Sequence, residues 1–401
     1  MALRGFLKSG HTPTLVSAFL YFDMSFMVWV LLGAIGVQVA KDLHLDPAQK
    51  GLMVAVPVLA GALIRMVNGV MVDHVGPKRA GVVCQLIVIA GLITAWALGV
   101  HSLQQVFLLG IVLGVAGASF AIALPLASRW YPPEHQGLAL GIAGAGNSGT
   151  VLASLFAPGL ALLIGWRNVI GLAAVPLALV LVVYLLFAKD SPAQPAPKSL
   201  RDYLSVLKDP DAWWFMLFYS VTFGGFVGLS SSLTIYFNSE FHQPPVIAGF
   251  FTAGCVFVGS FLRPVGGAVA DRIGGVRTLT TVYALAAAAL AGASFPLHSP
   301  WLALAILITA MGALGMGNGA VFQLVPQRFG REIGVMTGLV GMTGGVGGFY
   351  LASSLGLSKQ LTGSYQTGFM AFALLAVFAM LSLSGIKGQW RAGWAAAAAR
   401  V

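Results

Sequence analysis

The sequence is poor in charged residues. Of its 401 residues only 8% are Asp, Glu, Lys or Arg, whereas 58% are hydrophobic. Soluble globular proteins carry about 25% charged residues, so this composition excludes an ordinary soluble domain and indicates a protein that lies in lipid. A membrane-spanning helix needs about 20 largely apolar residues, and the chain has room for about a dozen such helices.

Groups that could hold a metal or carry out covalent chemistry are also scarce. Cys84 and Cys255 are the two cysteines, and both lie inside apolar stretches, so we expect small buried side chains and not a disulfide or metal site. The seven histidines show no ligand spacing such as H-x-x-x-H. No nucleophile–base set and no acidic pair lies within the apolar segments. We therefore expect that the protein is not an enzyme and binds neither a metal nor a cofactor. The first apolar stretch is too long for a cleavable signal peptide, and none is expected.

Apolar segments separated by short polar loops predict two groups of six spans. The first six are predicted at roughly 14–40, 50–72, 80–99, 104–128, 137–163 and 168–188, and the second six at roughly 212–238, 245–270, 277–295, 301–325, 335–357 and 365–386. We therefore expect an all-α membrane protein with an N-terminal six-helix bundle at 1–188 and a C-terminal six-helix bundle at 212–401. The polar residues 189–211 are predicted to form a cytoplasmic linker.

The net charge of +10 first suggests a nucleic-acid partner. The positions of the charges indicate otherwise, because Lys and Arg collect in the cytoplasmic loops of membrane proteins. With both termini in the cytoplasm, 16 of the 22 basic residues lie in cytoplasmic segments, four lie in outer loops and two lie within spans. We therefore expect a multi-pass protein of the bacterial inner membrane, surrounded by lipid and not bound to nucleic acid. A monomer is expected.

The two halves of the sequence repeat each other at an offset of 198 residues. Arg65 is related in this way to Arg263. The same offset relates Tyr21 to Tyr219, Gly69 to Gly267, Asp73 to Asp271, Gly76 to Gly274, Gly114 to Gly312 and Gly146 to Gly344. An even number of spans per repeat makes the two copies parallel in the membrane. Transporters built from such repeats bind their substrate near the midplane, between the halves.

Three charged residues lie well inside the predicted spans: Asp23, Arg65 and Arg263. A charge at the bilayer centre costs at least about 2.5–3.5 kcal/mol, so each is a candidate functional residue. By the repeat symmetry the two arginines should face each other across a central cavity. Two guanidinium groups with at most one nearby carboxylate indicate an anionic substrate. The alternative is that each arginine binds backbone carbonyls or Asp23.

Aromatic residues near the arginines favour a small planar anion. Tyr219 and Phe223 are four residues apart in span 7 and so share a helix face, and Phe120 in span 4 offers another ring. An arginine fork suits planar or tetrahedral oxyanions, but flat aromatic walls favour the planar ones. The alternative for these rings is ordinary packing. Asn147 is an amide inside an apolar span, so it needs polar partners and is a candidate donor to the anion.

The loop between spans 2 and 3 carries a motif that recurs between spans 8 and 9. Residues 69–79 read G-V-M-V-D-H-V-G-P-K-R, and residues 267–277 read G-A-V-A-D-R-I-G-G-V-R. With the layout of six spans plus six, this pair of motifs resembles the signature loop of the major facilitator superfamily. The resemblance implies a latch for one conformation of the transport cycle, formed by Gly69, Asp73, Gly76, Lys78, Arg79, Asp271 and Arg277. Asp73 would accept from a helix N-terminus or from an arginine of a neighbouring helix.

Two glycine-rich spans carry a narrower resemblance. Span 5 contains G-I-A-G-A-G-N-S-G-T (141–150), span 11 contains G-L-V-G-M-T-G-G-V-G-G-F-Y (338–350), and span 10 contains G-M-G-N-G-A-V-F-Q (315–323). These segments resemble the motifs of the nitrate/nitrite porter family, and the N-terminal segment resembles short assimilatory nitrate transporters. The resemblance implies that nitrate, or nitrite, lies between Arg65 and Arg263. The other binding residues that it implies are Gly144, Asn147, Phe120, Tyr219, Phe223, Asn318, Gln323 and Gly344.

Import of an anion into a negative-inside cell must be coupled to another flux, because it costs roughly 2.3 kcal/mol per 100 mV. Exchange for internal nitrite, or symport with about two or more protons, would both suffice. Two unneutralised arginines favour exchange. Asp23 favours symport if it carries a proton. The alternative is that it serves only as a counter-charge. The rival functions are a carrier for another small anion, such as a carboxylate, and a membrane sensor with a transporter fold.

Overall fold

The computed structural model describes residue 6 and residues 9–192, 200–329 and 333–393, and the regular elements within these ranges are all helical. In the first half, span 1 is Thr12–Trp29, Leu31–Ala34 and Gly36–Asp42, span 2 is Pro47–Val75, span 3 is Pro77–Leu98, span 4 is Leu103–Gly117 and Phe120–Ser128, span 5 is Pro133–Gly144, a 3-10 turn Ala145–Ser148 and Gly149–Ile164, and span 6 is Trp166–Leu172 and Ala174–Phe187. A short helix, Leu200–Val206, precedes the second half.

The second half consists of six unbroken helices. Span 7 is Pro210–Phe241, span 8 is Pro245–Ile273, span 9 is Gly275–Ala293, span 10 is Pro300–Arg328, span 11 is Ile333–Thr362 and span 12 is Gln366–Gly393. Eleven of the spans are long and apolar enough to cross a membrane. Span 1 completes the set of twelve, because its three segments are joined by single residues and its backbone bonds continue from Ala34 N–H to the Val30 carbonyl and from Val39 N–H to the Ile35 carbonyl.

The all-α fold with two six-helix bundles is thus confirmed, while the domain boundaries at 188/189 and 211/212 stay predictions. Residues 193–199 of the predicted linker and 394–401 of the tail lie outside the described residues. So do some of the basic residues that the sequence assigns to the cytoplasm, namely Arg4, Lys8, Lys198, Arg331 and Arg400.

Local sequence signals explain where the helices begin and end. Span 2 starts with a capping box, in which Asp46 and Gln49 bond each other's backbone N–H groups and Pro47 occupies the first turn. Spans 2 and 8 end at Gly76 and Gly274, whose φ angles are 86° and 96°. A side chain is strained in this region, so glycine is required for the sharp turns into spans 3 and 9.

The two bundles touch closely at the membrane side opposite the termini. A Cβ on Gly33 of span 1 would lie 2.3 Å from the carbonyl oxygen of Ser231 in span 7, and one on Gly51 of span 2 would lie 2.8 Å from the Cα of Gly356 in span 11. A Cβ on Gly249 of span 8 would lie 2.5 Å from the carbonyl oxygen of Ser154 in span 5. Only glycine permits such backbone contact, so these residues close the protein on that side.

Candidate substrate-binding site

A cavity of about 750 Å³ lies between the bundles. Its walls come from the parts of spans 4, 5, 8, 10 and 11 that lie toward the side of the termini. Phe120, Gly144, Arg263, Asp271 and Gln323, all singled out in the sequence, line it. The protein therefore opens toward the side on which the chain begins and ends, and it is closed on the other side.

Arg65 is fully buried, with a relative exposure of 1%, and it does not line the cavity itself but packs against the lining residue Phe120. Its Nε and Nη2 donate to the carbonyl oxygen of Gly117 at 3.2 and 3.1 Å, and its Nη1 donates to the carbonyl oxygen of Gly341 at 2.6 Å. Gly117 belongs to span 4 and Gly341 to span 11, so one guanidinium joins the two bundles. One alternative from the sequence was that an arginine binds backbone carbonyls. Arg65 does so.

Arg263 has a different environment from its repeat partner. Its Nη1 is buried and has no hydrogen-bond partner among the residues that the structure describes. The guanidinium carbons of Arg65 and Arg263 lie 5.4 and 5.8 Å from the centroid of the same ring, that of Phe120. Neither arginine forms an ion pair with an acidic residue in the described part of the chain. The structure therefore brings the two positive charges together around one aromatic ring.

The predicted aromatic wall is present next to the arginines. The rings of Tyr219 and Phe223 are stacked, with centroids 5.1 Å apart and an interplanar angle of 5°. The edge of Phe322 meets Tyr219 at 5.0 Å, and the Arg65 guanidinium carbon lies 5.0 Å from the Phe223 ring centroid. Gly344 is required beside this stack, because a Cβ there would lie 2.7 Å from Tyr219 Cδ1 and 2.9 Å from Phe223 Cδ1.

The predicted amide residues are buried without protein partners. Both side-chain polar atoms of Asn147 and of Asn318 lack a hydrogen bond, and so does the buried Oε1 of Gln323. Asn147 lies in the 3-10 turn Ala145–Ser148 that interrupts span 5. Because buried polar groups are nearly always hydrogen-bonded, each such atom needs an explanation, and a polar ligand is one.

Asp23 does not serve as the counter-charge of either arginine. It is 6% exposed, and Ser148 Oγ donates to its Oδ1 at 2.7 Å. No cation pairs with it among the described residues. Its carboxylate lies at the contact of span 1 with span 5, where a Cβ on Gly149 would meet the Asp23 carbonyl oxygen at 1.7 Å.

The motif loop of the first half is held by ionic contacts. Asp73 pairs with Arg129 at the end of span 4, with Nη2 and Oδ1 2.8 Å apart. The backbone N–H of Lys78 donates to Asp190 Oδ1 at 2.8 Å, which places a carboxylate at the N-terminus of span 3. Arg79 is exposed. Asp73 was expected to accept either from a helix N-terminus or from an arginine of a neighbouring helix. The structure shows the arginine as its partner.

The motif loop of the second half has neither contact. Asp271 is exposed at the cavity and forms no ion pair in the described ranges, and Arg277 is exposed as well. The residue 198 positions after Arg129 is Gln327, which carries no charge to pair with Asp271. The two loops share a sequence motif but not its ionic contacts.

Several residues of the site were not identified from the sequence. Gly117 and Gly341 take part through their carbonyl groups, which no side-chain pattern reveals. The ring centroid of Trp29 lies 5.3 Å from the Arg65 guanidinium carbon. In the sequence Trp29 does not stand out from the other aromatic residues of the apolar spans. Arg129 and Asp190 are far in sequence from the loop that they hold.

Comparisons with known proteins agree with this architecture. The chain is 33% identical to the nitrite extrusion protein of Bacillus subtilis (strain 168), with 88% of each chain covered. It is 30% identical to the probable nitrate/nitrite antiporter NarK1 of Thermus thermophilus, covering 90% of this chain and 88% of the relative. It is 29% identical to the probable nitrate transporter NarT of Staphylococcus haemolyticus (strain JCSC1435), covering 94% and 95%.

The solved structure of a bacterial homologue of the human lysosomal transporter Spinster, in an inward-facing and occupied conformation, covers 96% of each chain with a TM-score of 0.70 and 19% identity. At that identity the likeness shows the fold. The family model of the Major Facilitator Superfamily matches residues 17–352. The chain is therefore a multi-pass membrane protein that belongs to the major facilitator superfamily of transporters.

Proposed function

We propose that this protein transports nitrate, and nitrite as its close chemical analogue, across the bacterial inner membrane, and that the anion binds between Arg65 and Arg263. The cavity and the closed opposite side fit alternating access, in which the two bundles rock about a central site. Both termini are assigned to the cytoplasm by the distribution of Lys and Arg, so the cavity opens inward.

One observation carries this proposal. Two guanidinium groups lie 5.4 and 5.8 Å from the same Phe120 ring, and no acidic residue pairs with either of them in the described part of the chain. Two like charges in a region of low dielectric constant repel each other, and an anion between them relieves that repulsion. The buried, unpartnered Nη1 of Arg263 supplies a donor that an oxyanion can accept from.

The shape of the site supports a flat, singly charged ion. The stacked rings of Tyr219 and Phe223 form a planar surface, and Phe120 contributes a second ring. A planar, weakly hydrated oxyanion can lie against such rings while its oxygens accept from the arginines. Relatives that are 29–33% identical over most of the chain carry nitrate or nitrite in their names, which supports the same assignment.

Uptake into proteoliposomes tests the proposal. Nitrate, nitrite, chloride and formate are compared in vesicles that contain the purified protein, under a set pH gradient and with and without internal nitrite. We expect nitrate and nitrite to be transported and to compete with each other. Transport of formate that nitrate does not inhibit would instead establish the rival carboxylate carrier, and no anion transport under any condition would support a sensor.

The coupling mode is tested at Asp23. We propose that Asp23 carries the proton if the protein is a symporter, because its carboxylate is buried and pairs with no cation in the described residues. In that case Asp23→Asn should abolish nitrate uptake driven by a pH jump and should leave exchange of nitrate for nitrite intact. If a pH jump drives no uptake in nitrite-free vesicles of the unaltered protein, the transporter is an exchanger. A monomer suffices for either mode.

A further inference from the structure

Trp29 of span 1 is the largest fully buried side chain in the described structure, and no step of the proposed binding uses it. Its indole N–H donates to the carbonyl oxygen of Pro57 in span 2 at 2.8 Å. The Arg65 guanidinium carbon lies 5.3 Å from its ring centroid. Trp29 therefore bonds to the helix that carries Arg65 and packs against the Arg65 head group itself.

Two glycines form the recess that holds this indole. A Cβ on Gly61 would lie 3.0 Å from Trp29 Nε1, and a Cβ on Gly117 would lie 2.3 Å from the same atom. Gly61 is one helical turn before Arg65, and Gly117 is the residue whose carbonyl accepts from Arg65 Nε and Nη2. The indole thus packs against both span 2, which carries the arginine, and span 4, which carries its acceptor.

The second half shows what happens to this recess without a tryptophan. Gly259 and Gly315 hold the repeat positions of Gly61 and Gly117, but Val227 holds the position of Trp29. There a Cβ on Gly315 would lie 1.9 Å from the carbonyl oxygen of Gly259, and the ring that lies against Gly259 is that of Phe226, whose Cδ2 would lie 2.9 Å from a Cβ on Gly259. No hydrogen bond joins Arg263 to Gly315, and Arg263 Nη1 stays unpartnered.

The face of Trp29 also reaches the other bundle. Its ring is stacked with that of Phe223 in span 7, at 6.5 Å and 17°, and Phe223 is stacked in turn with Tyr219. Four aromatic rings have their centroids within 6.0 Å of the Arg65 guanidinium carbon: Phe26, Trp29, Phe120 and Phe223. Rings around a desolvated guanidinium hold it by cation–π attraction.

We infer that Trp29 is the positioning residue of the anion site: it fixes the guanidinium of Arg65 in the orientation in which the anion meets it. It does so through its bond to Pro57 of span 2 and by packing, together with Phe223, against the Arg65 head group. This inference rests on the proposed role of Arg65 as an anion ligand. A residue that only fills the core would stabilise the fold without setting the affinity for the anion.

Two substitutions at Trp29 separate these roles. Trp29→Phe keeps a ring beside Arg65 and loses the bond to Pro57, whereas Trp29→Leu removes both. We expect Trp29→Leu to raise the nitrate KM about tenfold while the maximal rate changes much less, and Trp29→Phe to restore most of the affinity. The increase in the midpoint of thermal unfolding that nitrate produces should shrink in the same order.

Trp390→Phe and Trp390→Leu are the matched controls. Trp390 is 2% exposed and its indole N–H is also hydrogen-bonded, to Asp211, but it lies at the end of span 12. We expect these variants to lower the thermal midpoint and to leave the nitrate KM unchanged. If the Trp29 variants behave like the Trp390 variants, the positioning role is wrong.

The same experiment distinguishes this inference from the proposed function. If Arg65→Lys loses nitrate transport but both Trp29 variants keep the unaltered KM, the function stands and the positioning role is refuted. If Arg65→Lys transports nitrate at the unaltered rate, Arg65 is not an anion ligand and the positioning role is refuted with it, whereas nitrate transport itself stands. If the unaltered protein transports no nitrate, the proposed function is refuted. If Trp29→Leu does not fold, Trp29→Met, which also removes the ring and the bond to Pro57, replaces it, and an unchanged KM with an unchanged nitrate-induced thermal shift in that variant would overturn the inference.

Discussion

Arg65 and Arg263 occupy the same position in the two halves of the chain, yet their surroundings differ. Every nitrogen of the Arg65 guanidinium is bonded to a carbonyl, and four rings surround it. Arg263 lines the cavity, contacts two rings and keeps a buried Nη1 without a partner. The sequence repeat thus places an arginine at the same position in both halves. The surrounding groups hold Arg65 in place and leave Arg263 available at the cavity.

The two motif loops differ in the same direction. In the first half Asp73 pairs with Arg129 and Asp190 caps span 3, whereas in the second half Asp271 is exposed and Gln327 stands where the arginine would be. The arginine and the loop of the first bundle are therefore both held by hydrogen bonds or ion pairs, one of which reaches Gly341 of the second bundle. The second bundle contributes the groups that remain free to meet the ion.

The largest effect is expected at the two arginines. Arg65→Lys and Arg263→Lys each replace a planar fork of donors with a point charge. We therefore expect the rate of nitrate uptake to fall about 100-fold in each variant, which is equivalent to roughly 3 kcal/mol of lost anion contacts. Uptake into proteoliposomes measures both. Uptake at the unaltered rate in both variants would contradict the assignment of the site.

Thermal unfolding separates the two arginines. Arg65→Lys leaves two buried carbonyls, those of Gly117 and Gly341, with fewer donors, so it should lower the unfolding midpoint in detergent by several degrees. Arg263→Lys breaks no hydrogen bond of good geometry and should leave the midpoint near that of the unaltered protein. Equal midpoints in the two variants would contradict the contrast between a fixed and an available arginine.

An intermediate effect is expected in span 11. Gly344→Ala places a Cβ 2.7 Å from Tyr219, so the aromatic stack must shift, and the nitrate KM should rise about tenfold. Gly254→Ala in span 8 is the matched control, since a Cβ there would meet no heavy atom of the described residues within 4 Å. We expect it to change the KM less than twofold. The reverse order of effects would show that the stack does not bind the anion.

The smallest effects should separate the two motif loops. Asp73→Asn removes a half-buried ion pair and should slow transport several-fold without changing the nitrate KM, because the loop is remote from the ion. Asp271→Asn breaks no ion pair and should slow transport less. Exchange rates in proteoliposomes compare the two, and equal losses would mean that the loops act by something other than their ionic contacts.

Much of this site follows from residue type and spacing. Arg65 and Arg263 stand out because a charge in an apolar span is costly, and the constant offset of 198 residues indicates that they face each other. Tyr219 and Phe223 follow from helical periodicity. The carbonyl partners of Arg65 could not be found in this way, because every residue has a carbonyl and only the packing of spans 2, 4 and 11 selects two of them.

The sequence by itself determined the twelve apolar helices, the two-fold repeat and the placing of two arginines at membrane depth, because apolar length, periodicity and the cost of a buried charge are properties of the chain. Only the tertiary structure decided which arginine is held by backbone carbonyls, that Asp23 bonds to Ser148, and that the cavity opens on the side of the termini. Those outcomes depend on contacts between helices far apart in the chain, which local sequence does not encode.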